Sequence, residues 1–445
     1  MKPSCTKNHQ KMSHQISRQR GYIKWGLGLC SAGAMLGALL VGGESLSAKD
    51  MGLGELKIVN NELQREFGGS DRQGDALDVA AVETPEALKS VMLSAAYAGE
   101  RMVVVGERGH ILYSDDRGKS WSQAPVPVRS TLTSVFFISP KKGWAVGHDT
   151  VILTTEDGGL SWTKILDGNQ ANQIVLQSAQ ERLDRIDSEL ANATGAEKGL
   201  LRNKRDFAEM ALDEADRDAG VGPNKTLMDI WFADEHTGIA VGAAGYMLRT
   251  TDGGESWKDW SGAIASQDFF HLYKLAANKN GYLFLVGEAA QVYRSSDKGL
   301  SWEALPVPYE GSFFGALGKD SDDSVYIFGM SGVVLKSLDN GDSWKQVDSN
   351  TRSILQNATV IDGDRVAIVG LGGGLLVEDA KAGVFTPQKL GTRAAFTAVL
   401  VGENQQLLAA GETGLRLYDA ATKNDDGSLQ SVESLHFMFN KRDNQ

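Results

Sequence analysis

The chain has 445 residues, with 57 acidic against 45 basic side chains, a formal net charge of −12 and 42% hydrophobic residues. This is the composition of a globular protein, long enough for two or three average domains or one large all-β domain. Its acidity argues against binding nucleic acid or an anionic membrane through the bulk field.

Residues 1–48 read as a secretory signal peptide. Six Lys or Arg precede the apolar run "WGLGLCSAGAMLGALLVGG", and a small residue, Ala48, marks the expected cleavage point. An uncleaved anchor is the alternative reading. Removal of the leader takes away five net positive charges and leaves the remainder at −17. Both cysteines, Cys5 and Cys30, go with it, so the expected mature chain has neither disulfides nor thiolate metal sites. Localisation is expected to be periplasmic. Residues 49–74 read as an N-terminal linker.

From residue 75 the chain repeats. A glycine ends an apolar run at Gly106, Gly147, Gly242, Gly287, Gly329, Gly370 and Gly411, at spacings near 42 apart from one long interval. Ten residues later stands Asp116, Asp157, Asp252, Asp297 or Asp339. Five further on stands Trp121, Trp162, Trp257, Trp302 or Trp344. Each unit reads as four short strands, and a four-stranded repeat of about 40 residues predicts a β-propeller blade. The pattern S/T-x-D-x-G-x-x-W joins the third strand to the fourth. Its carboxylate accepts turn N–H groups, its glycine supplies positive φ, and its tryptophan packs on the blade. The expectation is an all-β, seven-bladed β-propeller: blades 1–2 over 75–168 and blades 3–7 over 223–427. "LDVAAVETP" (77–85) is expected to close the ring as the outer strand of the last blade. A C-terminal tail, 428–445, is expected to pack on that seam.

Residues 169–222 break the pattern. Leu176, Ala179, Leu183, Ile186, Leu190 and Ala193 form an a/d seam, and a second helical stretch carries Phe207, Ala211 and Ala215 on one side. This predicts an antiparallel helical hairpin between blades 2 and 3, each helix on the order of 30 Å long. Its charged surface and internal seam favour projection from the ring.

No catalytic constellation stands out. The histidines beyond the leader, His110, His148, His236, His271 and His436, lack metal-ligand spacing, and no phosphate or dinucleotide loop is present. No cofactor or metal is expected. One set of residues does recur in register. Arg129, Arg352 and Arg393 lie 18 residues before their blade's glycine, Lys89 and Lys225 lie 17 before theirs, and Phe269, Phe270, Phe313, Phe314 and Phe396 occupy nearby positions. All start innermost strands. Arg129, Arg352, Arg393, Lys225, Phe270, Phe314 and Phe396 are therefore the candidate partner-binding residues, suited to an anionic group such as an acidic peptide.

The S/T-x-D-x-G-x-x-W units resemble the Asp-box of BNR-repeat proteins. With "VVVGERGHILYSDDRGKSW" and "GWAVGHDTVILTTEDGGLSW", the chain from about 75 to 420 resembles the photosystem II stability/assembly factor family of BNR-like propellers. That resemblance implies a non-enzymatic assembly factor whose arginine patch binds a membrane-protein precursor. The long hairpin and the missing lipid-anchor cysteine resemble members from non-photosynthetic proteobacteria. For these the implied partner is a membrane or envelope protein, such as an RND-type transporter, with no direct membrane binding after cleavage. Asp-box propellers also include sialidases and other glycosidases, so a secreted glycoside hydrolase is the competing expectation. No Arg-Ile-Pro motif or marked carboxylate pair supports it.

Overall fold

The structure, a computed structural model, describes residues 76–264, 269–379, 381–424, 427–431 and 435–439. The leader and the linker lie outside these. Seven antiparallel sheets, each running from an inner to an outer strand in chain order, make a seven-bladed propeller. The inner strands are Met92–Ala98, Leu132–Phe137, Leu227–Phe232, Leu272–Ala277, Phe313–Gly318, Leu355–Ile361 and Phe396–Val401. Neighbouring inner strands are stitched together: Thr133 donates to the Leu227 carbonyl at 2.6 Å, and Thr397 to the Met92 carbonyl at 2.6 Å.

Sequence and burial agree most closely in the second strands. "GWAVG", "GIAVG", "LFLVG" and "VYIFG" are buried at every position, because each lies between two neighbouring blades. The glycine that ends each strand is there for close approach. A Cβ on Gly147 would lie 2.0 Å from the Thr131 carbonyl oxygen, and one on Gly370 2.0 Å from that of Ile354.

The five Asp-box turns share one hydrogen-bond pattern. In blade 3, Thr250 Oγ1 donates to Asp252 and accepts the Gly254 N–H at 3.0 Å, and Asp252 accepts the Ser256 N–H at 2.9 Å. The tryptophans pack on the second strand of the preceding blade: Trp121 with Leu408 of blade 7, Trp257 with Trp144 of blade 2, Trp344 with Phe284 of blade 4. The turn therefore clasps two blades together. Blade 6 has lost the motif, but Phe385 meets Tyr326 of blade 5 edge-on at 6.3 Å, much as Trp344 meets Phe284.

Ring closure differs from expectation. The outer strand of blade 7 is Leu429–Ser431, from the segment read as tail, and residues 77–84 form no strand. The chain returns locally, with the Asn424 N–H donating to the Ser428 carbonyl at 2.8 Å and Gly427 at φ 78. A short local return costs less loop entropy than recruiting a strand from the other end. Residues 77–84 instead cover the seam of blades 1 and 2. Ala81 N–H donates to the Val126 carbonyl at 2.9 Å, and Leu77 is buried beside Val126 and Trp162. Beyond blade 7, His436–Phe437 adds a parallel fifth strand to blade 1 against Ser120–Trp121, so the tail does pack on the seam of blades 7 and 1.

The insertion is a hairpin of α1 (Gly168–Asn192) and α2 (Gly195–Val221). Asp167 caps α1 with Gln170 in a reciprocal capping box. Its root is not free of the ring. Ala171 is fully buried, Ile174 and Val175 pack against the core of blades 2 and 3, and Ser178 donates to Asp259 at 3.0 Å. Further out, the helices bury Leu183, Ile186 and Ala208 against one another. The α2 seam runs through Leu201, Ala208 and Ala215. Phe207, expected on the seam side, is 64% exposed.

Candidate partner-binding face

Strand pairing puts two sets of loops at one end of every blade. Leu132 pairs with Gly147, Leu355 with Gly370 and Phe396 with Gly411. The links entering the inner strands and the tight turns between second and third strands thus share a face, here the link face. The Asp-boxes, joining third and fourth strands, lie at the other end. The hairpin leaves after Leu166 and returns before Leu227, so it too rises from the link face.

The tight turns hold the links. Gly332 and Gly373 have φ of 73 and 74, and a Cβ on them would lie 2.3 Å from the Thr351 carbonyl oxygen and 2.1 Å from that of Thr392. Each turn therefore presses against the residue before an arginine, Arg352 or Arg393. In blade 2 the equivalent residue is Thr150, whose hydroxyl donates to the Lys225 carbonyl at 3.1 Å.

The four basic candidates divide into two kinds. Arg352 and Arg393 are exposed and have no hydrogen-bond or ion-pair partner among the described residues. Arg129 donates from Nε to the Ala80 carbonyl at 3.0 Å, which fastens the N-terminal segment. Lys225 pairs with Asp218 of α2 at 2.9 Å and lies over the Tyr246 ring, tying the hairpin root to blade 3. Here burial alone would raise the Asp218 carboxyl, but hydrogen bonds from Lys225 and Asn224 outweigh it and hold it below its ordinary value.

Among the aromatic candidates, Phe270 is half-buried at the link into blade 4, and Phe314 meets Tyr273 with ring centroids 4.9 Å apart. Phe396 does not belong to the face. It is 1% exposed and packs edge-on against Tyr418 in the core. Being the first residue of its inner strand, it points inward like Leu132 and Leu355.

Phe269, noted in the sequence but left out of the candidate set, joins the face together with two residues that were not noted. Phe269 is 70% exposed and Met330, in the blade 5 turn, 40%. Arg108 is exposed at φ 57 in the blade 1 turn. Their signal was positional, since each lies in a repeated link or turn. Below the face the seven inner strands line one channel. Its Asp229 is buried and accepts from Ser134 at 2.6 Å, Leu275 N–H at 2.8 Å and Lys274 at 2.9 Å. Among the described residues, no cluster of three or more His, Cys, Asp or Glu could hold a metal ion, and no helix is long and apolar enough to cross a membrane.

Known proteins share both the repeat and the ring. Residues 120–184 and 210–312 match the family described as photosynthesis system II assembly factor YCF48, and residues 112–123 match the BNR/Asp-box repeat. The photosystem II stability/assembly factor HCF136 of Arabidopsis thaliana is 23% identical over 303 residues, 62% of this chain and 72% of that protein. The photosystem II assembly lipoprotein Ycf48 of Synechococcus sp. (strain CC9902) is 26% identical over 284 residues, 61% of this chain and 80% of its own. Among solved structures, YCF48 bound to D1 peptide superposes with a TM-score of 0.50 at 15% identity, covering 77% of this chain and 97% of that one. YCF48 from Cyanidioschyzon merolae gives 0.51 at 13% identity, covering 76% and 97%. The structural likeness shows the propeller, and in sequence the chain is similar to the photosystem II stability/assembly factor-like family of BNR/Asp-box β-propellers.

Proposed function

We propose that this protein is a non-enzymatic periplasmic assembly module that captures an acidic segment of a membrane or envelope protein on its link face. The observation that carries the proposal is the pair Arg352 and Arg393. Both stand in the same register of adjacent blades, exposed and unpartnered among the described residues, in a chain of net negative charge. An unpaired guanidinium held by a rigid link is ready for carboxylates. The named roles of the curated relatives, photosystem II assembly, support a protein client, and one solved relative is bound to a D1 peptide. The leader read in the sequence of residues 1–48 supports the periplasm. An RND-type transporter system is the client class we favour.

The test is co-purification of the tagged chain from its native envelope, read by mass spectrometry, beside the double variant Arg352→Glu/Arg393→Glu. Arg129 stays intact, because its reversal would also release the N-terminal segment. The expected result is a membrane protein captured by the wild type, increasingly lost as salt rises, and absent from the variant at unchanged melting temperature. Equal capture by both would refute the proposal. Turnover of sialyl or aryl glycosides by the purified protein, dependent on one carboxylate, would refute its non-enzymatic part.

A further inference from the structure

The link face is not uniform around its rim. Four consecutive blades give it two chemistries. The links and turns of blades 4 and 5 present Phe269, 70% exposed, the Tyr273–Phe314 pair and Met330, 40% exposed. The links into blades 6 and 7 present Arg352 and Arg393. The two sectors join without a gap. The turn bearing Met330 hydrogen-bonds to the link into blade 5, Met330 N–H to the Ser312 carbonyl at 3.0 Å. Through Gly332 it presses on Thr351, the neighbour of Arg352.

Turn carboxylates stand in blade 4 and beside the link of Arg393, but not beside Arg352. The turns of blades 1, 4 and 7 begin with Glu107, Glu288 and Glu412, which accept from the backbone N–H groups of Val91, His271 and Ala395. The turns of blades 5 and 6 begin instead with Met330 and Leu371. No turn carboxylate therefore flanks Arg352, and apolar side chains take those positions.

We propose that the face reads a two-part peptide: acidic residues on Arg352 and Arg393, and adjoining apolar residues on Phe269, Phe314 and Met330. Peptide direction is then fixed, with the apolar part over blades 4 and 5 beside the hairpin. This rests on the arginine reading given under Proposed function and adds to it the second half of the recognition element. Charge complementarity selects the acidic part, and exposed apolar surface left beside an unpaired arginine selects the adjoining apolar part.

The test uses two fluorescein-labelled synthetic peptides of equal length and charge in fluorescence anisotropy. One has four glutamates followed by Leu-Phe-Leu-Leu; in the other, Ser and Gly replace the apolar residues. Wild-type protein should bind the first about tenfold more tightly, as expected for burying one or two apolar side chains. Phe269→Ser/Met330→Ser, at exposed positions that leave folding intact, should erase that preference without weakening the all-polar peptide. Arg352→Glu/Arg393→Glu should abolish binding of both. A photo-crosslinker at position 269 should label the apolar end and one at 393 the acidic end. Equal wild-type affinity for the two peptides, or labelling without end preference, would overturn the two-part reading and leave the arginine reading standing. Failure of both peptides to bind would overturn both.

Discussion

Five Asp-box tryptophans share one register but not one environment. Trp121 is fully buried between blades 7 and 1 and donates to the Gly118 carbonyl at 3.0 Å. Trp302 and Trp344 are half-buried, and their indole N–H groups find no partner among the described residues. Loss of the ring should therefore be graded. Trp121→Ala should cost about 3–5 kcal/mol, as for a large core aromatic, and Trp344→Ala roughly half as much. Chemical denaturation would show it; equal losses would mean that seam packing is not what the tryptophan contributes. The aspartates give a second residue-scale prediction. Burial alone would raise the Asp252 carboxyl, but hydrogen bonds from Ser256 and Thr250 outweigh it and lower its pKa to about 2. A carboxyl with a depressed folded-state pKa stabilises above its unfolded value and loses that contribution as pH falls. Asp157 and Asp297 are lowered by the same balance, and Asp339 by its Ser343 hydrogen bonds first. Melting temperature should drop between about pH 4 and pH 2. Asp252→Asn should be less stable at neutral pH, with the gap closing toward the acid end. A gap independent of pH would exclude the carboxylate as the clasp.

At the scale of the element, the hairpin has two parts with different roles. Its root is core: Ala171 is fully buried among residues of blades 2 and 3, and Asn172 donates to the Asp218 and Gly222 carbonyls at 2.9 and 3.1 Å, joining the two helices. The outer half is held by Leu183, Ile186 and Ala208, and by the Arg205–Asp187 pair at 2.7 Å. Replacing residues 188–204 with a short Gly/Ser loop should leave the melting temperature of the ring unchanged. Removing 170–221 should lower it, because about 1–3 kcal/mol of apolar burial is lost at the root. A calorimetric scan of both deletions decides this, and equal curves would contradict the division. The helices themselves were legible because the a/d spacing from Ala179 to Ile186 has no reading as a strand. The docking of the root was not, since Ala171 and Val175 face a partner brought near only by the ring. Phe396 shows a second limit. Strand side chains alternate, so moving by one residue exchanges mouth for core. The column 15 residues before the repeat glycine holds Leu132, Leu227, Leu272 and Leu355, core residues like Phe396; Phe314 shares it, but in blade 5 Phe313 pairs with Gly329 and takes the core place. Proximity to Arg393 hid the core place of Phe396.

On the scale of the whole molecule, a propeller is stable only when its last blade meets its first. "LDVAAVETP" was expected in that role, whereas "SLQS", which fills it, is too short for periodicity to mark as a strand. The geometry closes the ring by a local hairpin in blade 7 and a separate strap. His436–Phe437 runs parallel to Ser120–Trp121, with the Met438 N–H donating to the Trp121 carbonyl at 2.7 Å. Leu435 and Phe437 cover a cluster shared by Trp121 of blade 1 and Leu408 and Leu417 of blade 7. The strap therefore bridges the one seam that has no chain connection between neighbouring blades. Elsewhere a link such as Asn350–Ile354 ties each blade to the next, so opening another seam strains the chain, whereas opening this one does not. Deletion of residues 432–445 keeps the outer strand of blade 7 and removes only the strap. It should lower the melting temperature and quicken limited proteolysis within blades 7 and 1, while blades 3 to 5 stay protected in hydrogen exchange. Phe437→Ser should reproduce most of the effect. Uniform loss of protection around the ring would instead mean that closure is cooperative through all seven seams and that the strap has no local role.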